Sequence, residues 1–159
     1  MNYSIRPIQT KDNAVVERII RDCLIEYGGD HAGTAWEDPD LGRFAQLYDQ
    51  PGWAYWVAED ETGTVVGGVG IGPMPGEDGL CELQKMYCIP QVRGKGVAHA
   101  LIEPAFAFAR TLYNRCYLET FDNMIPAQKF YEKHGFYRVK DPIGNTGHFA
   151  CEVRYLKDL

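Results

Sequence analysis

No run of apolar residues in this 159-residue chain reaches the ~18 that a transmembrane helix needs. The opening residues, Met1 to Pro7, hold no basic stretch leading into an apolar one, so no secretory leader is expected. Basic charge is scarce: 16 Lys and Arg stand against 22 Asp and Glu, a net charge of -6. A nucleic-acid binder would carry a basic excess, so nucleic acid is not expected as a partner, and neither is a membrane. A mildly acidic surface suits a cationic amine, although it serves solubility equally well. Cysteines number five, an odd count, and no two have C-x-x-C spacing. They read as reduced thiols of a cytoplasmic protein. Repeats and low-complexity tracts are absent.

What is present fits one ordinary globular domain, residues 1–159. A chain of this length buries roughly 70% of the surface it would expose unfolded. Apolar residues make up 45% and charged residues 24%. Tyr3 to Pro7 alternates as a short strand. Lys11 to Tyr27 repeats apolar residues at helical spacing, with Thr10 or Asp12 to cap it and Gly28-Gly29 to end it. A loop from Gly28 to Pro39 leads to a short helix, Asp40 to Asp49. Strands are expected at Trp53 to Glu59, Val65 to Gly72 and Leu80 to Ile89, the first two joined by a turn at Thr62-Gly63. A long helix is expected from about Gly94 to Leu112, kinked at Pro104. Then come a strand (Tyr117 to Thr120), a helix (Pro126 to His134) and two strands (Tyr137 to Lys140, His148 to Leu156). The order β-α-α-β-β-β-α-β-α-β-β predicts an α/β (α+β) domain: a mixed, mostly antiparallel, splayed sheet with helices on both faces.

The chemistry concentrates between Leu80 and Ala98. A strand runs through Pro90 into Gln91-Val92-Arg93-Gly94-Lys95-Gly96 and directly into a helix. Two glycines at a helix start let backbone wrap a ligand, and the free amides of the first turn favour negative charge there. A phosphate or pyrophosphate is the implied ligand, with Arg93 and Lys95 adding positive charge. A bare G-x-G is more often an ordinary strand–helix turn.

The fuller pattern resembles the GNAT acetyltransferases. Their Q/R-x-x-G-x-G/A signature is met as Gln91-x-x-Gly94-x-Gly96, after a strand and opening a helix. Their A-x-x-x-Y-x-x-x-G-F block is met as Ala127-x-x-x-Tyr131-x-x-x-Gly135-Phe136. The resemblance covers nearly the whole chain, Ile5 to Leu156. It implies a cosubstrate, acetyl-coenzyme A, lying between the strand that ends near Cys88 and the next one. The pantetheine arm would pair with backbone at Met86, Tyr87 and Cys88. The pyrophosphate would sit on the amides of Arg93, Gly94, Lys95, Gly96, Val97 and Ala98, with Ala127 alongside. Tyr131 would protonate the departing thiolate. The family's frequent Asn, three residues before the Ala, is Met124 here, and Asn123 is one position off.

Acetyl transfer needs a neutral amine, a polarised thioester and a proton for sulfur. Glu82 is the first candidate for taking the amine's proton, because Glu82, Gln84 and Lys85 interrupt a strand that should be apolar. Glu119, on the neighbouring strand, is the second. Tyr131 alone would read as a packing aromatic, and its place in the second motif gives it the acid role. His148 and Cys151, three apart on one strand, would face opposite ways, so no metal site is expected. His148 can line the acceptor pocket with Tyr27, His31, Trp36 and Tyr87. Cys88 could carry an acetyl group but reads more simply as an inert core thiol. His99 and His134 read as surface or packing residues. The expected function is direct acetyl transfer to a primary amine in a ternary complex. The alternative is a non-catalytic module that binds or senses acyl-coenzyme A. The sequence leaves the acceptor and the choice between monomer and homodimer open.

Overall fold

Seven strands form one sheet in the order β1-β2-β3-β4-β5-β7-β6. They are β1 (Ser4–Pro7), β2 (Ala54–Glu59), β3 (Val65–Pro73), β4 (Leu80–Cys88), β5 (Arg115–Thr120), β6 (Tyr137–Val139) and β7 (Val153–Asp158). The helices are α1 (Asn13–Glu26), α2 (Phe44–Leu47), α3 (Val97–Leu112) and α4 (Ile125–Lys133). This computed structural model describes residues 2–159. Every strand pair is antiparallel except β4 with β5.

Helices cover both faces, as the element order predicts. Ile19, Ile20, Cys23 and Leu24 of α1 are buried with Phe44 of α2 and Tyr48, Tyr55 and Val57. Leu101, Ile102, Ala105 and Ala109 of α3 are buried against Val69, Ile71 and Leu83 on the other side, where Tyr131 of α4 joins them. The apolar stripes at i, i+3 and i+4 account for both contacts.

Boundaries differ from expectation where local backbone overrides pattern. The helix expected near Gly94 starts at Val97, because Gly94 (φ 76) and Gly96 (φ 85) lie in the left-handed region and cannot belong to a right-handed helix. α3 continues through Pro104 to Leu112. The second helix shrinks to Phe44–Leu47. The fifth strand starts earlier, at Arg115. The last strand starts only at Val153, so His148 and Cys151 precede it. The face-parity argument for those two residues therefore does not apply. Instead, Cys151 N donates to His148 O at 3.0 Å in a turn.

Two irregularities in the middle of the sheet create the site. Gly68 pairs with Tyr87 and Gly70 with Gln84, so β4 spends one residue more than β3 over that interval. This bulge holds Lys85 at φ 50, a conformation that costs a non-glycine residue roughly 1–2 kcal/mol. The second irregularity is divergence: β4 and β5 pair only from Leu80 with Arg115 to Glu82 with Tyr117. Beyond Glu82 the two parallel strands separate.

Candidate active site

The gap between β4 and β5 is bounded by two adjoining cavities. One, of about 470 Å³, is lined by β4 at Met86, Tyr87 and Cys88, by the turn at Arg93, Gly94 and Gly96, by Ala98 of α3 and by Ala127, Phe130 and Tyr131 of α4. The other, of about 70 Å³, is lined by Leu83, Lys85, Leu118, Glu119, Thr120 and Cys151. Met86, Tyr87, Met124, Ala127 and Tyr131 line both. The strand gap thus connects a large groove to a small chamber that Lys85 and Glu119 border, and Tyr131 lines both.

The turn before α3 is shaped to receive an anion. A Cβ added at Gly94 or Gly96 would meet no protein atom within 4 Å, so these glycines border open space. The first turn of a helix has no internal partners for its amides, which leaves Val97, Ala98 and His99 free to donate. The amides of Arg93 and Lys95 are turned inward instead, to Pro90 O (3.3 Å) and Val92 O (3.3 Å). Arg93 does not offer a free charge either. Its guanidinium grips both oxygens of Glu26 (2.7 and 2.9 Å) and donates to Cys88 O at 3.2 Å. It staples α1 to the end of β4. Lys95 is exposed, and the Val97 side chain is buried in the core. The volume, the open space at the glycines and the free amides fit a coenzyme A-sized ligand with its pyrophosphate on α3.

Tyr131 is only 8% exposed. Burial holds its phenol well above the usual range, so it stays protonated and can donate. Burial also pushes the Cys88 thiol up to about 12. That leaves almost no thiolate at neutral pH and argues against Cys88 as an acetyl carrier. Met124 occupies the family's Asn position, and its sulfur accepts from Thr120 Oγ1 at 3.3 Å. Asn123 donates to Tyr27 O at 3.0 Å and is thereby committed to the loop.

On the far side of the gap stand Glu82 and Glu119. Glu119 borders the small chamber, but both its oxygens are taken: the Tyr117 hydroxyl donates to one at 2.7 Å and the Thr146 hydroxyl to the other. Glu82 lies one step further back, where β4 and β5 still pair. Gln84 Nε2 donates to Glu82 Oε1 at 2.7 Å, and among the described residues nothing donates to its second oxygen. Burial raises the Glu82 carboxyl above its usual range, against the opposing pull of Lys85, Gln84 and His148, and nearby Glu119 adds to the rise.

A strap crosses this side. Asp38, in the loop after α1, accepts from Lys85 Nζ at 2.7 Å and from His148 Nε2 at 3.0 Å. Ala150 N donates to Gly33 O at 3.0 Å. Of the expected pocket residues, Tyr87 borders both cavities, Tyr27 the larger one, and His148 sits in the strap. His31 is exposed and Trp36 packs under Arg21, its ring centre 4.7 Å from the guanidinium carbon; neither borders a cavity. Sequence reasoning passed over Asp38, Tyr48 and Thr146, which lie far from the motifs. It also took His99 and His134 as surface or packing residues. They border the groove and meet at 2.9 Å (Nδ1 to Nε2), and the position of His99 in the first turn of α3 was the signal for it.

The model of the acetyltransferase (GNAT) family matches residues 16–136. The chain belongs to the GNAT acetyltransferase family. An uncharacterized N-acetyltransferase of Escherichia coli strain K12, YjgM, is 46% identical over 159 residues, covering 98% of this chain and 94% of that one. A GNAT-family acetyltransferase structure from Staphylococcus aureus Mu50 superposes with a TM-score of 0.86 at 19% identity, covering 99% of both chains. The PaiA N-acetyltransferase of Thermoplasma acidophilum, solved in complex with coenzyme A, gives a TM-score of 0.78 at 16% identity over 100% of both chains. The chain is an N-acetyltransferase fold with acetyl-coenzyme A as its cosubstrate.

Proposed function

We propose that this protein acetylates a primary amine by direct attack in a ternary complex, with Glu82 taking the amine's proton and Tyr131 protonating the leaving sulfur. The observation that carries this reading is the passage between β4 and β5. It joins a groove with a helix N-terminus at one end to a chamber bordered by Glu119 at the other, with Glu82 one step behind that chamber on β4, and Tyr131 borders both cavities. A module that only sensed acyl-coenzyme A would need the groove and no chamber beyond it.

Gly94, Gly96, Val97 and Ala98 would hold the pyrophosphate, and the backbone of Met86 to Cys88 would hold the pantetheine arm, with Ala127 packing against it. Bound acetyl-coenzyme A supplies the acetyl group as an activated thioester. Glu82 accepts a proton from the ammonium form of the acceptor, directly or through one water. The amine nitrogen then forms a bond to the acetyl carbon as the carbon–sulfur bond breaks. The electron pair of that bond stays on sulfur, and the Tyr131 hydroxyl protonates it. The surplus proton of the acylated nitrogen passes through solvent to restore the Tyr131 hydroxyl, and Glu82 releases its own proton to solvent. Loop 27–43 and loop 140–152 enclose the acceptor. Five cysteines with no disulfide among them support work in the reducing cytoplasm.

The test is a thiol-release assay of purified protein against a panel of polyamines, amino acids, aminoglycosides and peptide amines. The expected result is amine-dependent release of free thiol with intersecting initial-rate lines. Coenzyme A binding with no release for any amine would leave the sensor reading in its place.

A further inference from the structure

We propose that Tyr48 and Gln84 are positioning residues that fix which oxygen of Glu82 faces the acceptor amine. The inference rests on Glu82 being the base, and it concerns what aims that base.

Glu82 and Gln84 share one face of β4. Opposite them on β3 stand Gly72 and Gly70. Without side chains there, the face is open to residues arriving from elsewhere. Tyr48, just after α2, fills the opening. A Cβ at Gly70 would come within 2.8 Å of its ring and 2.7 Å of the Tyr55 ring, so both rings press against bare backbone there. Phe44, Tyr55 and Trp53 surround it at centroid distances of 5.2, 5.1 and 5.7 Å, and Tyr48 is only 5% exposed. Its hydroxyl donates to Gln84 Oε1 at 2.7 Å, and Gln84 Nε2 donates to Glu82 Oε1 at 2.7 Å.

An amide has an accepting end and a donating end, and this arrangement assigns each. The hydroxyl is a rigidly held donor, and burial keeps it from ionising. An ionised Glu82 can only accept, so it draws the NH₂ toward itself, and the Tyr48 hydroxyl locks that orientation by donating to the amide oxygen. That orientation suits an ionised Glu82 and opposes the flipped amide, whose oxygen would face the carboxylate. One Glu82 oxygen is thereby occupied, and among the described residues the other accepts no hydrogen bond. Lys85 on the same strand, His148 in loop 140–152 and Glu119 on β5 also act on Glu82, and none of them contacts the amide's two polar ends in place of Tyr48 or Glu82.

Deleting the hydroxyl in Tyr48→Phe keeps the ring and its packing but frees the amide to turn. Gln84→Leu removes the relay itself. In both, the ionised form of Glu82 loses its fixed donor. The acidic limb of kcat/KM for the amine should then move to higher pH by about half a unit or more. The rate at pH 7 should fall about tenfold, less than the loss from removing a base outright. Coenzyme A affinity, measured by calorimetry, should stay within about twofold of the parent.

The experiment compares pH–rate profiles of the parent, Tyr48→Phe, Gln84→Leu and Glu82→Gln at saturating acetyl-coenzyme A, with melting curves on the same preparations. Loss of the acidic limb in Glu82→Gln, together with its upward shift in Tyr48→Phe, supports the inference. A Glu82→Gln enzyme with the parent's profile would remove the base reading on which it rests. Collapse of Glu82→Gln alongside an unmoved limb in both Tyr48→Phe and Gln84→Leu would overturn the positioning role itself, whatever the melting curves show. If one of the two variants does not fold, the limb of the other decides.

Discussion

Asp38 and His148 lie 110 residues apart in the chain, yet the imidazole Nε2 sits 3.0 and 3.1 Å from the two carboxylate oxygens. Lys85 reaches the same carboxylate at 2.7 Å. Three segments, the loop after α1, the bulge of β4 and loop 140–152, therefore meet at one residue.

Asp38→Asn should loosen that junction. The expected result is a raised KM for the amine with unchanged affinity for coenzyme A, because the groove at α3 does not depend on it. Stability should fall by about 1–3 kcal/mol, since Lys85 would keep a largely buried charge without its partner. The pH dependence has a definite sign. Burial alone would raise the Asp38 carboxyl, but the His148 hydrogen bond and the charge of Lys85 outweigh it and hold the group below its usual range. Its stabilising contribution is thus present above the unfolded-state value and is lost as pH falls through the folded one. The melting temperature of the parent should drop more steeply on acidification than that of Asp38→Asn. Parallel curves would show that the junction carries no stability.

The glycines before α3 allow a test that separates backbone from ligand. A Cβ on Gly96 meets no protein atom, so Gly96→Ala pays only for the left-handed conformation, about 1 kcal/mol. Gly96→Asp places a negative charge where the pyrophosphate is proposed to lie. Coenzyme A affinity should fall by about tenfold or more beyond the alanine variant, equivalent to ~1.4 kcal/mol or more. Calorimetry on folded Gly96→Asp with unchanged affinity would place the pyrophosphate elsewhere.

The order of strands and helices was legible because apolar periodicity reports which face is buried, and both faces of this sheet are. The glycine turn before α3 was legible because Gly94 and Gly96 are neighbours in the chain as well as in space. The strap was not. Asp38, Lys85 and His148 carry no shared local pattern, and only the antiparallel return of β7 along β5 brings the third of them to the first two. The final strand was drawn too long at its start, because over His148 to Glu152 the backbone turns, with Cys151 N donating to His148 O. The pairing of Arg93 was hidden for a similar reason. Its place in the motif suggested a charge for the ligand, but Glu26, 67 residues earlier, already holds it. Contacts between distant segments are what a single sequence encodes least directly.

Cys88 provides a check on direct transfer. Its thiol borders the groove, but burial raises it to about 12. A carrier thiol at neutral pH would need the opposite shift. Cys88→Ala should keep turnover within about threefold of the parent, a loss of the size expected for altered packing near the site rather than for a lost nucleophile. Initial-rate lines should intersect in both enzymes. A parallel pattern in the parent that disappears with Cys88→Ala would establish a covalent acetyl-cysteine step.

Tyr131 gives the sharpest test of the acid. It borders both cavities, its ring is buried among Phe130, Phe136 and Tyr155, and burial keeps its hydroxyl protonated. Tyr131→Phe preserves those ring contacts and deletes only the oxygen. A thiol has an ordinary pKa near ~8.5, so the thiolate leaves tolerably well without help. Removing the acid should therefore slow the reaction without abolishing it. Turnover should fall by about 10- to 1,000-fold, the usual worth of a positioned acid. Coenzyme A affinity should stay near that of the parent, because the amides before and within α3 are untouched. Replacing the natural leaving group with a thiol of lower pKa should narrow the gap between variant and parent, since a better leaving group depends less on proton delivery. Packing alone predicts something different: a lower melting temperature, turnover within about twofold, and no dependence of the variant-to-parent ratio on the leaving group. Rates for two thioesters of different leaving-group pKa, measured beside a melting curve, distinguish the two outcomes. A ratio that stays near one for both thioesters would remove Tyr131 from the reaction.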